Sequence, residues 1–349
     1  MRPRVDLNLI SQSLRQLNDS GYFERKLHDF TDKLIAAIEH VLSSPGMYDP
    51  AIEADFANHM SDVQSYLSGS TTNEIPYEVV YCLRDALKRW EKRNTIILTQ
   101  LTERHNFHFR PSDPWQFIRK TLTGFDSSGF DVFLVLIGVP RLYSHKPLFC
   151  IPLYHELGHF VDVTHKISEV SLLLSPSVIP FPDVALSHRR EHFADLYSSS
   201  FVGRAGVSAL ETIAPNHPPS NTHPATLDRV AVVEAFLNGQ PHPLVNFFQN
   251  ALAQLSLPAL STVYQSVSVQ PEFNDLRTFR PQSPEAMHGM LESAWAYMLD
   301  VIANSRNPWQ LDSMSEGATE KIINDLTEKS IRNFAIRTAW NATANPSRN

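Results

Sequence analysis

Ile151-Pro152-Leu153-Tyr154-His155-Glu156-Leu157-Gly158-His159-Phe160 is an apolar, helix-like run with His155, Glu156 and His159 set into it. Residues four apart share a helix face. His155 and His159 can therefore turn two imidazole nitrogens toward one metal ion, with Glu156 beside them. One turn of helix binds no metal tightly by itself. A zinc ion in a hydrolytic site takes three protein ligands and keeps a fourth position open, so a third ligand is sought elsewhere in the chain.

Beyond a proline-containing loop the chain reads Arg190-Glu191-His192-Phe193-Ala194-Asp195-Leu196-Tyr197. On a helix Glu191 and Asp195 share a face. Glu191 could then reach the metal while Asp195 accepts a hydrogen bond from the far nitrogen of a ligand histidine. The plain alternative is a solvated acidic pair on a surface helix. His165 is the rival third ligand, because residues 155–165 match HExxHxxGxxH except at Asp162, where the metzincin pattern has the glycine that ends the helix. No methionine occurs between His165 and Met287, as a metzincin methionine turn would require. Glu191 is preferred, with His165 left open.

Further on lies Asn221-Thr222-His223-Pro224-Ala225-Thr226-Leu227-Asp228-Arg229. HExxH, then ExxxD, then a histidine-proline pair with an arginine six residues after the histidine resembles the gluzincin zinc metallopeptidases. Among these it is most similar to the group of the CAAX prenyl proteases and the HtpX-like peptidases. The resemblance covers about residues 150 to 235. It implies His155, His159 and Glu191 as ligands of Zn2+, Glu156 as the base and Asp195 behind the ligands. It further implies His223 near the metal as an extra ligand or oxyanion contact, and Arg229 supporting that loop. Those relatives are commonly membrane-embedded or exported, a feature this sequence does not share.

The chemistry expected of such a site is peptide hydrolysis. Zinc acidifies its water to a pKa of ~7, and Glu156 can take the proton as that water attacks a peptide carbonyl, then return it to the leaving amine. His223 and Tyr197 are candidates for contacting the developing oxyanion. Val132 to Val139 (VFLVLIGV), just before the active-site run, reads as a strand that either offers an edge to an extended peptide or is a buried core strand. The expected protein is a cytoplasmic zinc metalloendopeptidase acting on protein or peptide substrates. The alternative is a zincin-fold binding or regulatory protein that retains zinc but has no, or only conditional, proteolytic activity.

The rest of the chain sets limits. Its 349 residues are 42% hydrophobic and 19% charged, which suits a folded chain with a large core. A net charge of −7 gives no attraction to nucleic-acid phosphate or anionic lipid. Cys82 and Cys150 form no framework, which fits a reducing compartment. The N-terminus lacks the apolar run of an export signal, and VFLVLIGV is far short of the ~20 residues that span a bilayer. No membrane partner is expected.

Prolines outnumber glycines 24 to 12, which favours helices bounded by proline loops. Apolar spacing from Leu7 to about Leu101 predicts three or four amphipathic helices, with turns at Ser43–Gly46 and Ser68–Asn73. A turn at Gly124–Gly129 precedes the strand. Loops are expected at Ser175–Asp183, Ala214–Pro224, Gly239–Pro243 and Arg280–Pro284. Ser283-Pro284 should open a helix toward Asn304, and a last helix should run from about Glu316 to Trp340. The fold class is mainly α with a small β-sheet (α+β). A zincin-like core over 107–240 is flanked by a helical region over 1–106 and another over 241–349, either of which could recruit a protein partner. Glu53, Asp55 and His59 read as a solvated helix face.

Overall fold

The computed structural model describes residues 2–19, 26–70, 77–102, 107–111, 114–126, 132–175, 181–213, 215–311 and 314–344. The elements in chain order are α1 (Arg2–Asn18), α2 (Lys26–Ser43), α3 (Pro50–Gly69), α4 (Tyr77–Lys88), β1 (Thr95–Thr102), β2 (His108–Pro111), α5 (Pro114–Thr121) and β3 (Phe133–Pro140). There follow α6 (Leu153–His165), α7 (Ile167–Leu173), α8 (Pro182–Val202), α9 (Arg204–Ile213), α10 (Thr226–Leu237), α11 (Pro243–Gln254), α12 (Gln270–Asn274), α13 (Pro284–Ala303) and α14 (Glu316–Ala344). The fold is mainly α with one small sheet. Parts of three expected turns and loops, at 71–73, 127–129 and 176–180, and residue 214 of a fourth, lie outside the described residues. No helix among the described residues is long and apolar enough to cross a membrane.

The chain divides into two compact units, one of Met1–Tyr77 and Glu91–Ser144, the other of Glu78–Trp90 and His145–Asn349. In the first, α1, α2 and α3 bury Leu7, Leu14, Phe30, Leu34, Phe56 and Met60 in a core shared with Ile96, Leu98, Leu134 and Leu136 of the sheet. The sheet order is β1-β3-β2, with β1 parallel and β2 antiparallel to β3. The helical reading to Leu101 is therefore corrected at its end: Thr95-Ile96-Ile97-Leu98-Thr99 is β-branched and buried at Ile96–Thr99, and it pairs residue for residue with β3. β3 is the central strand, hydrogen-bonded on both edges, so the core reading of VFLVLIGV holds and the edge reading does not. Glu53 is likewise no solvated side chain, being buried and paired with Arg4 at 2.5 Å, while His59 stacks on Phe117.

In the second unit α6 packs along α8, and α13 closes on α8, α9 and α14. Ser283 caps α13 by accepting the Ala286 N–H, as the Ser-Pro start predicts. The aromatic centre holds Tyr154, Phe193, Tyr197, Phe201 and Phe248. There the Tyr154 hydroxyl meets His288 Nδ1 at 2.9 Å, and His288 Nε2 meets Asp85 at 3.3 Å. Cys82 and Cys150 are both buried and free, and burial pushes both thiols up, away from the reactive range.

Candidate metal centre

Helix α6 has one stripe left partly open, formed by Pro152, His155, Glu156 and His159, while Leu153, Tyr154, Leu157, Gly158 and Phe160 are buried. Facing it is α8, buried without a break from Glu191 to Val202. A helix buried on all sides lies at the centre of its unit, and its polar side chains need partners. Gly158 sets how closely the two helices approach: a Cβ there would lie 2.8 Å from the Ala194 Cα and 3.1 Å from the Tyr197 Cβ. Without that carbon α6 settles against the backbone of α8, and Glu191 comes up to both histidines.

Glu191 Oε2 lies 3.4 Å from His155 Nε2, and Glu191 Oε1 lies 3.3 Å from His159 Nε2. Nitrogen and oxygen ligands about 2.0–2.1 Å from a tetrahedral zinc ion stand about 3.3 Å from one another. The three side chains thus already stand at the spacing that such an ion imposes. Among the described residues they are the one group of three or more His, Cys, Asp or Glu side chains whose ligand atoms converge, all within 4.8 Å of one another. The donor set of two imidazoles and one carboxylate suits zinc and leaves a position open.

Behind the three candidate ligands the partners are fixed. His155 Nδ1 lies 2.9 Å from Asp195 Oδ1, and donation there turns the Nε2 lone pair toward the ion position. Arg229 grips Asp195 with two hydrogen bonds of 2.7 Å, and its Nη2 also reaches Glu191 Oε2 at 3.2 Å. Burial by itself would raise both carboxyls. Arg229 and His155 beside Asp195, and the two imidazoles beside Glu191, instead hold both well below the usual carboxylate range. Burial would also strip His155 of its charge, but the Asp195 and Glu191 carboxylates outweigh it and push the imidazole up to about 10 in the metal-free protein. Neighbouring His192 behaves in the opposite way: burial dominates and pushes it down to about 4.

His223 stands at the rim. The loop before α10 is closed by paired bonds between His217 and Thr226 and between Ser220 and His223. Thr222 Oγ1 sits 2.8 Å from His223 Nδ1, which points Nε2 at Glu191 Oε1, 3.6 Å away, with about half of the ring exposed. Arg229 is tied to Asp195 and Glu191, not to that loop, so its expected supporting role passes to the carboxylates. Tyr197 is not brought to the cluster. It lies where α8 meets Gly158 of α6, fully buried against Trp90, Phe193 and Phe201 and away from the ligand atoms.

His165 also lies outside the cluster. Helix α6 continues through Asp162, and the left-handed turn falls four residues later at Lys166, so the chain never turns back to bring His165 to the metal face. Asp162 is buried and accepts the Ser168 N–H at 2.7 Å. Nor are Glu191 and Asp195 a solvated pair, at 8% and 6% exposure. The contributions of Gly158 and Thr222 are absent from the sequence reading. The signal for Gly158 was a small residue in the middle of HExxH facing another, Ala194, in the middle of the ExxxD helix. No family model matches the chain, and neither the curated proteins nor the solved structures include a match to it.

Proposed function

We propose that the chain is a cytoplasmic zinc-dependent peptidase of gluzincin type, with His155, His159 and Glu191 as ligands and Glu156 as general base. The observation that carries this reading is the 3.3 Å and 3.4 Å placement of one carboxylate between two imidazoles four residues apart, on the half-open stripe that also bears Glu156. Zinc bound there would supply Lewis acidity to a peptide carbonyl and acidify water to a pKa of ~7. The chain's own groups do the rest. Asp195 holds the proton of His155 at Nδ1, and Arg229 keeps Asp195 ionised and in place. The Glu156 carboxylate, adjacent to His155 and one turn before His159, takes the proton of the attacking water and passes it to the departing amine. His223 Nε2, on the exposed side of Glu191, donates to the oxygen on which negative charge develops.

The test is a pair of measurements on wild type and Glu156→Gln: zinc content of the purified protein, and cleavage of an unstructured protein such as casein. Equal zinc, with cleavage lowered about 10²- to 10⁴-fold in the variant, is the expected result. Equal zinc with no cleavage by either protein would turn the reading to a binding or regulatory protein built on the same centre. Absence of zinc from both would remove the metal centre itself.

A further inference from the structure

In the second unit, a cleft of about 290 Å³ opens between the Thr278–Pro281 segment and one face of α14 made by Ser330, Asn333, Phe334 and Arg337. Arg280 and Arg337 are among its lining residues, which include no Asp or Glu. That is unusual for its surroundings. Arg277 is paired with Asp275, Arg306 with Asp300, and Arg332 with both Glu78 and Glu328. Among the described residues Arg280 and Arg337 have no carboxylate partner. Arg337 gives one N–H to the Pro281 carbonyl and lies over the Phe334 ring at 5.5 Å, which fixes its plane and leaves its remaining donors for something else. Arg280 is exposed, and among the described residues its guanidinium donates to no protein group.

We propose that this cleft is a binding site for a small oxyanion, a phosphate or carboxylate group carried on a flat apolar body. Two guanidinium forks with no internal counter-charge match the oxygens of such a group in a bidentate manner. They do so in a chain whose net charge is −7, so the overall charge does not by itself draw an anion there. Phe279 and Phe334 in the lining supply the flat apolar contact, while the Asn333 amide donates to the Thr278 hydroxyl at 3.5 Å between the two walls. The volume is at the lower limit of small-molecule sites, which restricts the ligand to about the size of a monoaryl phosphate or an aromatic acid. The cleft shares no lining residue with the metal centre.

The experiment titrates the full chain with phenyl phosphate, benzoate and inorganic phosphate at constant ionic strength, by calorimetry, and repeats it with Arg280→Gln and Arg337→Gln. Saturable binding of phenyl phosphate or benzoate, at least tenfold tighter than inorganic phosphate and at least tenfold weaker in each variant, is expected, with zinc content unchanged throughout. The preferred aryl probe separates a phosphate head group from a carboxylate. Arg337→Gln also removes a bond to the Pro281 carbonyl and can loosen the cleft, so Arg280→Gln, which breaks no such contact, carries the decision. No saturable binding to wild type, unchanged binding in Arg280→Gln, or inorganic phosphate binding as tightly as phenyl phosphate would each overturn the proposal.

Discussion

Tyr154 and His155 are neighbours on α6, and each reaches a network made of histidine and aspartate, yet the two networks end differently. On the buried side, Tyr154, His288 and Asp85 satisfy one another in series, with His288 fully buried. That set closes on itself and calls for no ligand. On the half-open side, His155, Asp195, Arg229 and Glu191 hold more carboxylate than Arg229 can neutralise, and three ligand atoms face one point. The comparison teaches that a buried histidine-aspartate pair is a structural tie when its donors and acceptors are matched, and a site when its ligand atoms converge on one open point.

The strongest way to break that comparison is to remove one member from each side. His159→Ala and Glu191→Ala should reduce zinc from about one equivalent to near none while the fold survives, as measured by metal analysis and circular dichroism. His288→Ala should keep its zinc and lose about 2 to 4 kcal/mol of stability in urea unfolding, because it leaves a cavity and strands the Tyr154 hydroxyl. Zinc loss in folded His288→Ala would show that the two networks are one.

A smaller effect is expected behind the ligands. Asp195→Asn takes the negative charge from between His155 and Arg229 and leaves the guanidinium buried with only Glu191 to face. Zinc affinity should fall about 10- to 100-fold in a chelator competition. Stability should fall as well, by about 3 to 5 kcal/mol, since one partner of a buried ion pair is lost. If Asp195→Asn bound zinc as tightly as wild type, the hydrogen bond to His155 would be a structural tie of the Tyr154 kind.

Acidity sharpens the same contrast. Because the carboxylates push His155 up to about 10, the metal-free protein carries a proton there at pH 7, and zinc has to displace it. Zinc affinity should therefore rise about tenfold per pH unit from pH 7 to 9, with close to one proton released from His155 per ion, measured by calorimetry in buffers of different ionisation enthalpy. The metal-free protein should move the other way. A histidine raised on folding contributes stability that is fully present below its ordinary 6.5 and lost as pH climbs through about 10. Apo stability should decline between those limits while zinc affinity increases.

Much of this centre was legible in the residues themselves. The i, i+4 spacing of His155 and His159 and of Glu191 and Asp195 is a property of any helix, so once both segments are helical their faces follow. The distance between the faces was not legible, since it depends on Gly158 meeting the Ala194 backbone, a tertiary contact with no periodic signal. Tyr197 was misplaced for a related reason: chemistry made it a good oxyanion donor, while its place where α8 meets Gly158 buries it away from the ligand atoms. In the first unit the apolar spacing of Thr95–Leu101 fits a helix as well as a strand, and the segment forms β1. The β-branched content there was the better guide.

The mildest change tests the packing claim on which the whole convergence rests. Gly158→Ala adds one carbon at a point where the facing atom is the Ala194 Cα, which belongs to backbone and cannot swing aside. Helices α6 and α8 must then separate by several tenths of an ångström, at a cost of about 1 to 3 kcal/mol. Separation moves Glu191 away from both imidazoles, so zinc affinity should fall along with stability, in contrast to His288→Ala, where stability alone falls. Gly317→Ala, at a position in α14 with open space around it, is the control: zinc affinity should not change, and stability should hold or rise by up to about 1 kcal/mol. A Gly158→Ala protein with wild-type zinc affinity would mean that Glu191 reaches the metal by side-chain freedom and not by the closeness of the helices.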